Sequence, residues 1–467
     1  MGAAGLLPSL AHAAPSVDVI VIGAGLAGLN AALILQGEGA RVTVLEGAHR
    51  IGGRVHTADG IVSRPEYGAS QIGRSYARVL DTVRRLGVPL DTEDRKLLPF
   101  ATHLGGRWIT ANDWPSSDLN PLPEGLRTTP PALVIAKLLG AVSPLKSSSD
   151  WLDPAAAGHD KSIAEVLRGA GYSEAVLHLA SLTAASMDGV SALAMMQELN
   201  RGRIDADFGK NVAPAAGELP PVSNVRGGTS RLAEAMHAAL HQPARLGKVV
   251  ARIDMQGKRV VVDCLDGTNY TADFVIAAIP FALLRHIEVR PGFTGLQAEA
   301  VQSLPTLDTT RAFLTIREPF WELDGLEPSF VSDGPIEMFW AIDNHQRRGA
   351  YRGMMIMTGD RASRLSSIEP ADVPAFLLTE LARLRPAAAG KIDIHTWNAW
   401  AANPLIRCCR HMYGPGQISR LAGPMIRPWQ RLHVAGEHTR RNDYGMEAAM
   451  ESGERAALEV LTGSADA

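Results

Sequence analysis

Val17-Asp18-Val19-Ile20-Val21-Ile22-Gly23-Ala24-Gly25-Leu26-Ala27-Gly28 is the stretch whose reading decides the fold. Its first half is a β-branched apolar run, the pattern of a strand buried on both faces of a parallel sheet. Its second half is GxGxxG. Gly23 permits a tight turn, Gly25 lets backbone approach a pyrophosphate with Ala27 on the same loop, and Gly28 lets the next helix pack on the sheet. The Leu29–Gln36 segment has an alanine- and leucine-rich helical pattern, which Gly37 to Gly39 breaks. The positive N-terminal end of such a helix faces the phosphates. Arg41–Leu45 (RVTVL) reads as a second strand, and Glu46 at its end lies 18 residues after Gly28. A carboxylate there can accept hydrogen bonds from ribose hydroxyls. Strand, helix, strand and acid together make one βαβ unit that binds a dinucleotide.

Outward from this unit, the 467 residues are too many for one simple core and suggest two domains. Charged residues make up 20%, and the net charge of −3 gives no electrostatic footprint for nucleic acid. Cys264, Cys408 and Cys409 cannot build a disulfide framework. No CxxC or HExxH is present, so no metal site is expected. No apolar run reaches the roughly 18 residues of a membrane span. Met1–Leu10 is small and apolar, and Ala11-His12-Ala13 resembles a signal-peptidase site. Residues 1–15 therefore read either as an N-terminal extension or as the end of an export signal lacking its basic start, which leaves cytoplasm and periplasm both open.

Residues from about 90 to 220 are rich in proline and serine between helical patches, with loops marked by Pro121, Pro123, Pro130, Pro131, Ser147–Ser149 and Pro214–Pro221. Strand patterns return in KVVARID and KRVVVDCL, with a turn at Asp266-Gly267, and in Asp273 to Ile276. Arg311–Ile316 and Arg352–Met357 also read as strands. A strand ends at Val434-Ala435-Gly436-Glu437, before a helix from about Gly445 to Leu461. The layout suggests a nucleotide-binding domain from three separated segments and a substrate domain from the two inserts between them. The expected bounds are 16–90, 220–285 and 400–462 for the first, and 91–219 and 286–399 for the second.

Ile51-Gly52-Gly53-Arg54 follows Glu46 closely, and the run LEGAHRIGGRV resembles the flavin-containing amine oxidase family. That family spans monoamine oxidases, polyamine oxidases, L-amino acid oxidases and histone demethylases; the likeness here is to bacterial flavin monoamine oxidases. The resemblance continues in order through Tyr67-Gly68-Ala69-Ser70, Arg226-Gly227-Gly228-Thr229, Pro319-Phe320-Trp321, VAGEHT (Val434–Thr439) and GMEAAMESGERAA (Gly445–Ala457). It implies an α/β fold: a Rossmann-like FAD-binding domain and an interleaved α+β substrate-binding domain whose mixed sheet is flanked by helices.

The resemblance also implies roles. Gly53 and Arg54 would meet the FAD pyrophosphate, with Ala69 and Ser70 beside the isoalloxazine ring and Val250 at the adenine. Gly436 and Glu437 would approach the ribityl-phosphate region, and the amide of Met446 the flavin N1/O2 edge. The positive end of that helix stabilises negative charge on reduced flavin.

Several positions depart from the family pattern. Arg311 stands where a lysine is usual, and arginine cannot act as a base. The paired tyrosines of monoamine oxidases map to Cys409 or Arg410 and to Gly445, with Tyr444 adjacent, so the aromatic cage is incomplete. Trp400 and Trp397 are candidates for an aromatic wall, with His395 and His411 nearby in sequence. Cys408 and Cys409 sit where some relatives bond the flavin methyl group; buried packing is the alternative.

The implied reaction is hydride transfer from the carbon beside a neutral amine nitrogen, giving an imine that hydrolyses to a carbonyl. The partners are a small-molecule amine and O2 or another electron acceptor, and a homodimer stays open. Alternatives are an L-amino acid oxidase using Arg74, Arg311 or Arg410 for the carboxylate, a C–C desaturase of the same fold, or a flavin-binding protein without turnover.

Overall fold

The computed structural model describes residues 17–61, 63–91, 97–184, 186–211, 222–343 and 351–463, with backbone alone for 204–211. The expected extension at 1–15 and the loop at Pro214–Pro221 lie outside the described residues.

The opening strand, Asp18–Ile22, pairs in parallel with Arg41–Leu45 on one side and Phe274–Ala277 on the other. Leu432–Val434 completes the four-stranded sheet, again in parallel. Both faces of such a sheet are covered, which explains why VDVIVI runs apolar without alternation. The helix Leu26–Gly37 starts directly after Gly25, three residues earlier than the leucine pattern suggests. Gly23 makes this possible with φ +102°, a conformation that side chains rarely adopt. The C-terminal helix Gly445–Leu461 lies against Leu26–Gly37: Asn30 Nδ2 donates to the Met450 carbonyl at 2.8 Å. A Cβ on Gly453 would overlap the Ala27 carbonyl oxygen, so the two helices touch backbone to backbone. Leu29, Leu35, Val21, Ile276, Met450 and Ala457 form the buried core there.

A second sheet has seven strands in the order Ile392–Ala399, Thr309–Ile316, Tyr351–Thr358, Met338–Asp343, Ser329–Ser332, Phe100–Leu104, Arg107–Ile109. It is mixed: Ser329–Ser332 and Phe100–Leu104 run parallel and the other pairs antiparallel. One face packs Phe320, Phe330, Phe339 and Met355 against Leu377 and Leu381 of the helix Val373–Leu384. The other face carries Arg311, Met338, Trp340, Ile356 and Asn398, which line a cavity. Alternation along each strand thus divides apolar packing from the cavity wall. A further sheet of Asn269–Ala272, Val260–Cys264, Val250–Asp254 and Glu288–Arg290 flanks the parallel one. The proline-rich stretch contributes the helices Val134–Val142, Ile163–Gly169, Glu174–Ala180 and Ala192–Asn211. Architecturally this is an α/β protein with mixed sheets flanked by helices.

Candidate active site

One cavity of about 630 Å³ runs from the GxGxxG turn to the seven-stranded sheet. That volume falls in the ordinary range for small-molecule sites. At one end stand Gly23, Gly25, Ala27, Glu46, Gly53 and Arg54. The helix that begins here has no side chain capping its N-terminus, so its first N–H groups are left for a ligand. Glu46 is held by two amides: Ala24 N–H donates to Oε2 and Ala48 N–H to Oε1, each at 2.8 Å. Burial nevertheless pushes its carboxyl above the ordinary carboxylate range. Val250 lines the same region, together with Lys248 and Arg50, which sequence reading missed. The Arg50 guanidinium lies 5.6 Å from the centre of the Trp400 ring.

Gly436, Glu437, Tyr444, Gly445 and Met446 come from the C-terminal segment. Helix Gly445–Leu461 also begins without a side-chain cap, at the cavity wall. Glu437 belongs to a run of alternating charges. Arg410 Nη1 donates to Glu198 at 2.7 Å, Arg440 bridges Glu198 and Glu437 at 3.2 Å each, and Arg54 Nη1 stands 3.9 Å from Glu437 Oε2. That Oε2 is buried and has no hydrogen-bond partner among the described residues. Arg54 Nη1 also donates to the Cys409 carbonyl at 2.9 Å.

At the far end, Arg311, Trp400, Cys409 and Arg410 meet Ala69 and Tyr67. Arg311 Nη1 donates to the Gly68 carbonyl at 3.1 Å, and Trp400 Nε1 to the Tyr67 carbonyl at 3.1 Å. Ser70 is not part of the lining, and Gly28 lies behind the turn, where it packs helix on sheet. Of the cysteine pair, Cys409 reaches the cavity; Cys408 is fully buried, and burial raises its thiol to about 11. All three cysteines are free.

Three residues expected near the site do not line it. Asn398 faces the cavity, so alternation turns Trp397 to the opposite side, while His395 sits at a bulge where the pairing slips from Thr396 to Ile394. Trp397 Nε1 donates to the Pro370 carbonyl at 3.2 Å, and His395 bonds the Thr315 hydroxyl at 2.7 Å; neither lines the cavity. His411 is buried: its Nε2 accepts from Ala282 N–H at 3.1 Å, and burial lowers its pKa to about 4. A neutral histidine fixed in this way serves packing. Sequence reading also missed Glu337, Trp340 and Thr358, which line the sheet end of the cavity. Nothing in their local sequence marks them; for Trp340 and Thr358 the strand alternation shared with Arg311 was the available signal, and for Glu337, which precedes its strand, there was none.

The donor set fits a dinucleotide: two uncapped helix starts, a glycine-lined turn, an acid at the second strand's end and Arg54 on the same cavity. No helix among the described residues is long and apolar enough to cross a membrane. No cluster there could hold a metal ion.

Comparison with known proteins agrees with this geometry. Residues 26–461 match the family model of flavin containing amine oxidoreductases. The chain is 25% identical to amine oxidase [flavin-containing] B of Sus scrofa, across 95% of this chain and 86% of that protein. It is likewise 25% identical to the flavin-dependent L-tryptophan oxidase of Lentzea aerocolonigenes, across 93% and 96%. Among solved structures, cyclohexylamine oxidase from Brevibacterium oxydans superposes with a TM-score of 0.73 at 20% identity, covering 96% of this chain and 100% of that one. Putrescine oxidase bound to putrescine gives 0.73 at 20%, covering 96% and 99%. The chain therefore belongs to the flavin containing amine oxidoreductases, enzymes whose cofactor is a flavin, here FAD.

Proposed function

We propose that the protein oxidises the C–N bond of a small amine at the sheet end of the cavity. The observation that carries this reading is the continuity of the cavity: one space joins the uncapped helix at Gly25 to the wall of Arg311, Tyr444 and Trp400. Gly25, Gly53, Arg54, Glu46 and Val250 would hold the dinucleotide part of FAD, with Ala69, Gly436, Glu437 and Met446 along its flavin end. Bound FAD supplies the two-electron acceptor for the substrate's C–H bond.

The chain's own contribution is binding, orientation and exclusion of water. Trp400, Tyr67, Met338 and Ile356 give the far end an apolar lining. Desolvation there lowers the pKa of a bound ammonium and favours the neutral amine, the form that can be oxidised. Arg311 is a fixed cation and no base; its bond to Gly68 orients the wall rather than moving a proton. The helix dipole at Met446 favours negative charge on the acceptor side.

Arg410 is already paired with Glu198, and Arg311 already donates to Gly68. Both cations at this end therefore have partners, which favours an amine over an α-amino acid with a free carboxylate. The test is product analysis with amines in air. An amine oxidase forms the aldehyde or ketone from the carbon chain, with hydrogen peroxide in equal amount if O2 is the acceptor. Carbonyl product that appears only with an added artificial acceptor would identify a dehydrogenase. Absence of carbonyl product from every amine would overturn the proposal.

A further inference from the structure

Arg410 lines the cavity where its sheet end meets the segment that carries Glu437, Tyr444 and Met446. The carbonyl of the preceding residue, Cys409, accepts from Arg54 Nη1 at 2.9 Å, which fixes the backbone there. The Arg410 side chain is 31% exposed, so its charge reaches the open space. Glu198 backs it without lining the cavity itself. Glu198 Oε2 accepts from Arg410 Nη1 at 2.7 Å, and Oε1 accepts from Arg440 Nη2 at 3.2 Å. Both oxygens of Glu198 are thus committed. Arg440 is fully buried and also donates to Glu437 at 3.2 Å. Gln197, next to Glu198 on the helix Ala192–Asn211, accepts from Arg440 Nε at 3.3 Å and donates to the Asp443 carbonyl at 3.1 Å. Arg201, one turn further along, lies 2.6 Å from Asp443. The helix is therefore pinned to the segment from Glu437 to Asp443, and the carboxylate it carries is held on Arg410.

We propose that Glu198 is a positioning residue that sets specificity through Arg410: it occupies the guanidinium nearest the reacting carbon and so excludes α-amino acids. This inference rests on the amine oxidase reading above. In an α-amino acid the carboxylate sits on the very carbon that is oxidised, so it must enter wherever that carbon approaches the flavin. Arg410 stands there with a carboxylate already on it. A second carboxylate would share one partly desolvated guanidinium with the first, and like charges repel strongly in that setting. The amine with the same side chain brings no such charge. Removing the charge of Glu198 leaves Arg410 a cation at the cavity wall, free to take a substrate carboxylate.

The test compares anaerobic flavin reduction within three pairs that share a side chain, using the flavin-loaded full chain: 2-phenylethylamine with L-phenylalanine, isoamylamine with L-leucine, and tryptamine with L-tryptophan. The wild type is expected to favour the amine in the pairs it oxidises by on the order of a hundredfold or more in kcat/KM. Glu198→Gln is expected to narrow that ratio by about tenfold or more, chiefly through a lower KM for the amino acid. Phenylacetate, a carboxylate without an amine, should perturb the flavin spectrum at about tenfold lower concentration in Glu198→Gln than in the wild type. The double variant Glu198→Gln/Arg410→Gln should return both readouts toward wild type, which a loss of packing alone would not do. Wild-type flavin reduced equally well by both members of each pair would overturn the inference and leave the amine oxidase reading intact. An unchanged ratio and unchanged phenylacetate affinity in a folded, flavin-loaded Glu198→Gln would do the same. Reduction by no amine at all would remove both.

Discussion

Arg311 on the seven-stranded sheet donates through Nη1 to the carbonyl of Gly68 at 3.1 Å. This bond ties the cavity's sheet wall to the loop that follows the GGR turn, and both residues line the space between. Removing it frees the loop where the substrate is to be oriented. R311A is expected to retain FAD and to slow anaerobic reduction by the best amine about 10- to 100-fold, the scale of lost positioning. Stopped-flow absorbance measures this. Reduction at the wild-type rate would show that Arg311 plays no part in orientation.

Gly28 and Gly37 lie on one helix and predict opposite outcomes. A Cβ on Gly28 would overlap the Gly23 carbonyl oxygen and stand 3.1 Å from Val21 Cγ1. G28A should therefore lose about 2 kcal/mol or more and much of its bound FAD. Gly37 is exposed with nothing within 4 Å of a built Cβ, and its φ is not positive. G37A should be neutral or stabilising by up to about 1 kcal/mol. Thermal melting and the flavin-to-protein absorbance ratio distinguish the two; equal behaviour would contradict the packing described for the turn.

The contrast shows what the sequence made legible. GxGxxG, Glu46 and the helix from Gly445 follow from local chemistry: turn, dipole and period each act within one element. The structure brings most of the residues singled out on that basis to one cavity. The sheet end was harder to read. Trp340 and Arg311 lie on strands that are not neighbours in the sheet, and Glu198 meets Arg410 and Arg440 from more than 200 residues away. Only tertiary packing brings such partners together. Trp397 is a different case: its alternation with Asn398 within one strand gave the signal that it faces away from the cavity.

Cys408 and Cys409 are neighbours in sequence with unlike surroundings. Burial holds the Cys408 thiol protonated up to about pH 11, whereas Cys409 lines the cavity. The thiolate is the reactive form. Iodoacetamide at pH 8 should modify Cys409 in flavin-free protein, spare Cys408, and react more slowly at Cys409 once FAD is restored. Peptide mass spectrometry reads each site. Equal labelling of both would contradict the arrangement.

Asp443 predicts a pH effect on stability. Burial, with Glu447 and Glu451 nearby, raises its pKa to about 6 against the pull of Arg201 at 2.6 Å and Arg78 at 3.7 Å. The folded protein thus holds a proton that the unfolded chain, at an ordinary 3.8, releases. Stability from this group is full below about pH 4 and is lost as pH rises through about 6, by at most about 3 kcal/mol. D443N lacks the titration, so its stability relative to wild type should improve between pH 4 and pH 7. Denaturant melts at both pH values check this; a difference that stays constant or moves the other way would contradict it.

The most direct measurement is the visible spectrum of the purified, FAD-reconstituted protein under anaerobic titration with amines. An amine oxidase binds FAD tightly, and its yellow absorbance bleaches with one class of amine and returns when an acceptor is admitted. A chain that binds no flavin, or that holds flavin no amine can bleach, would contradict the central claim.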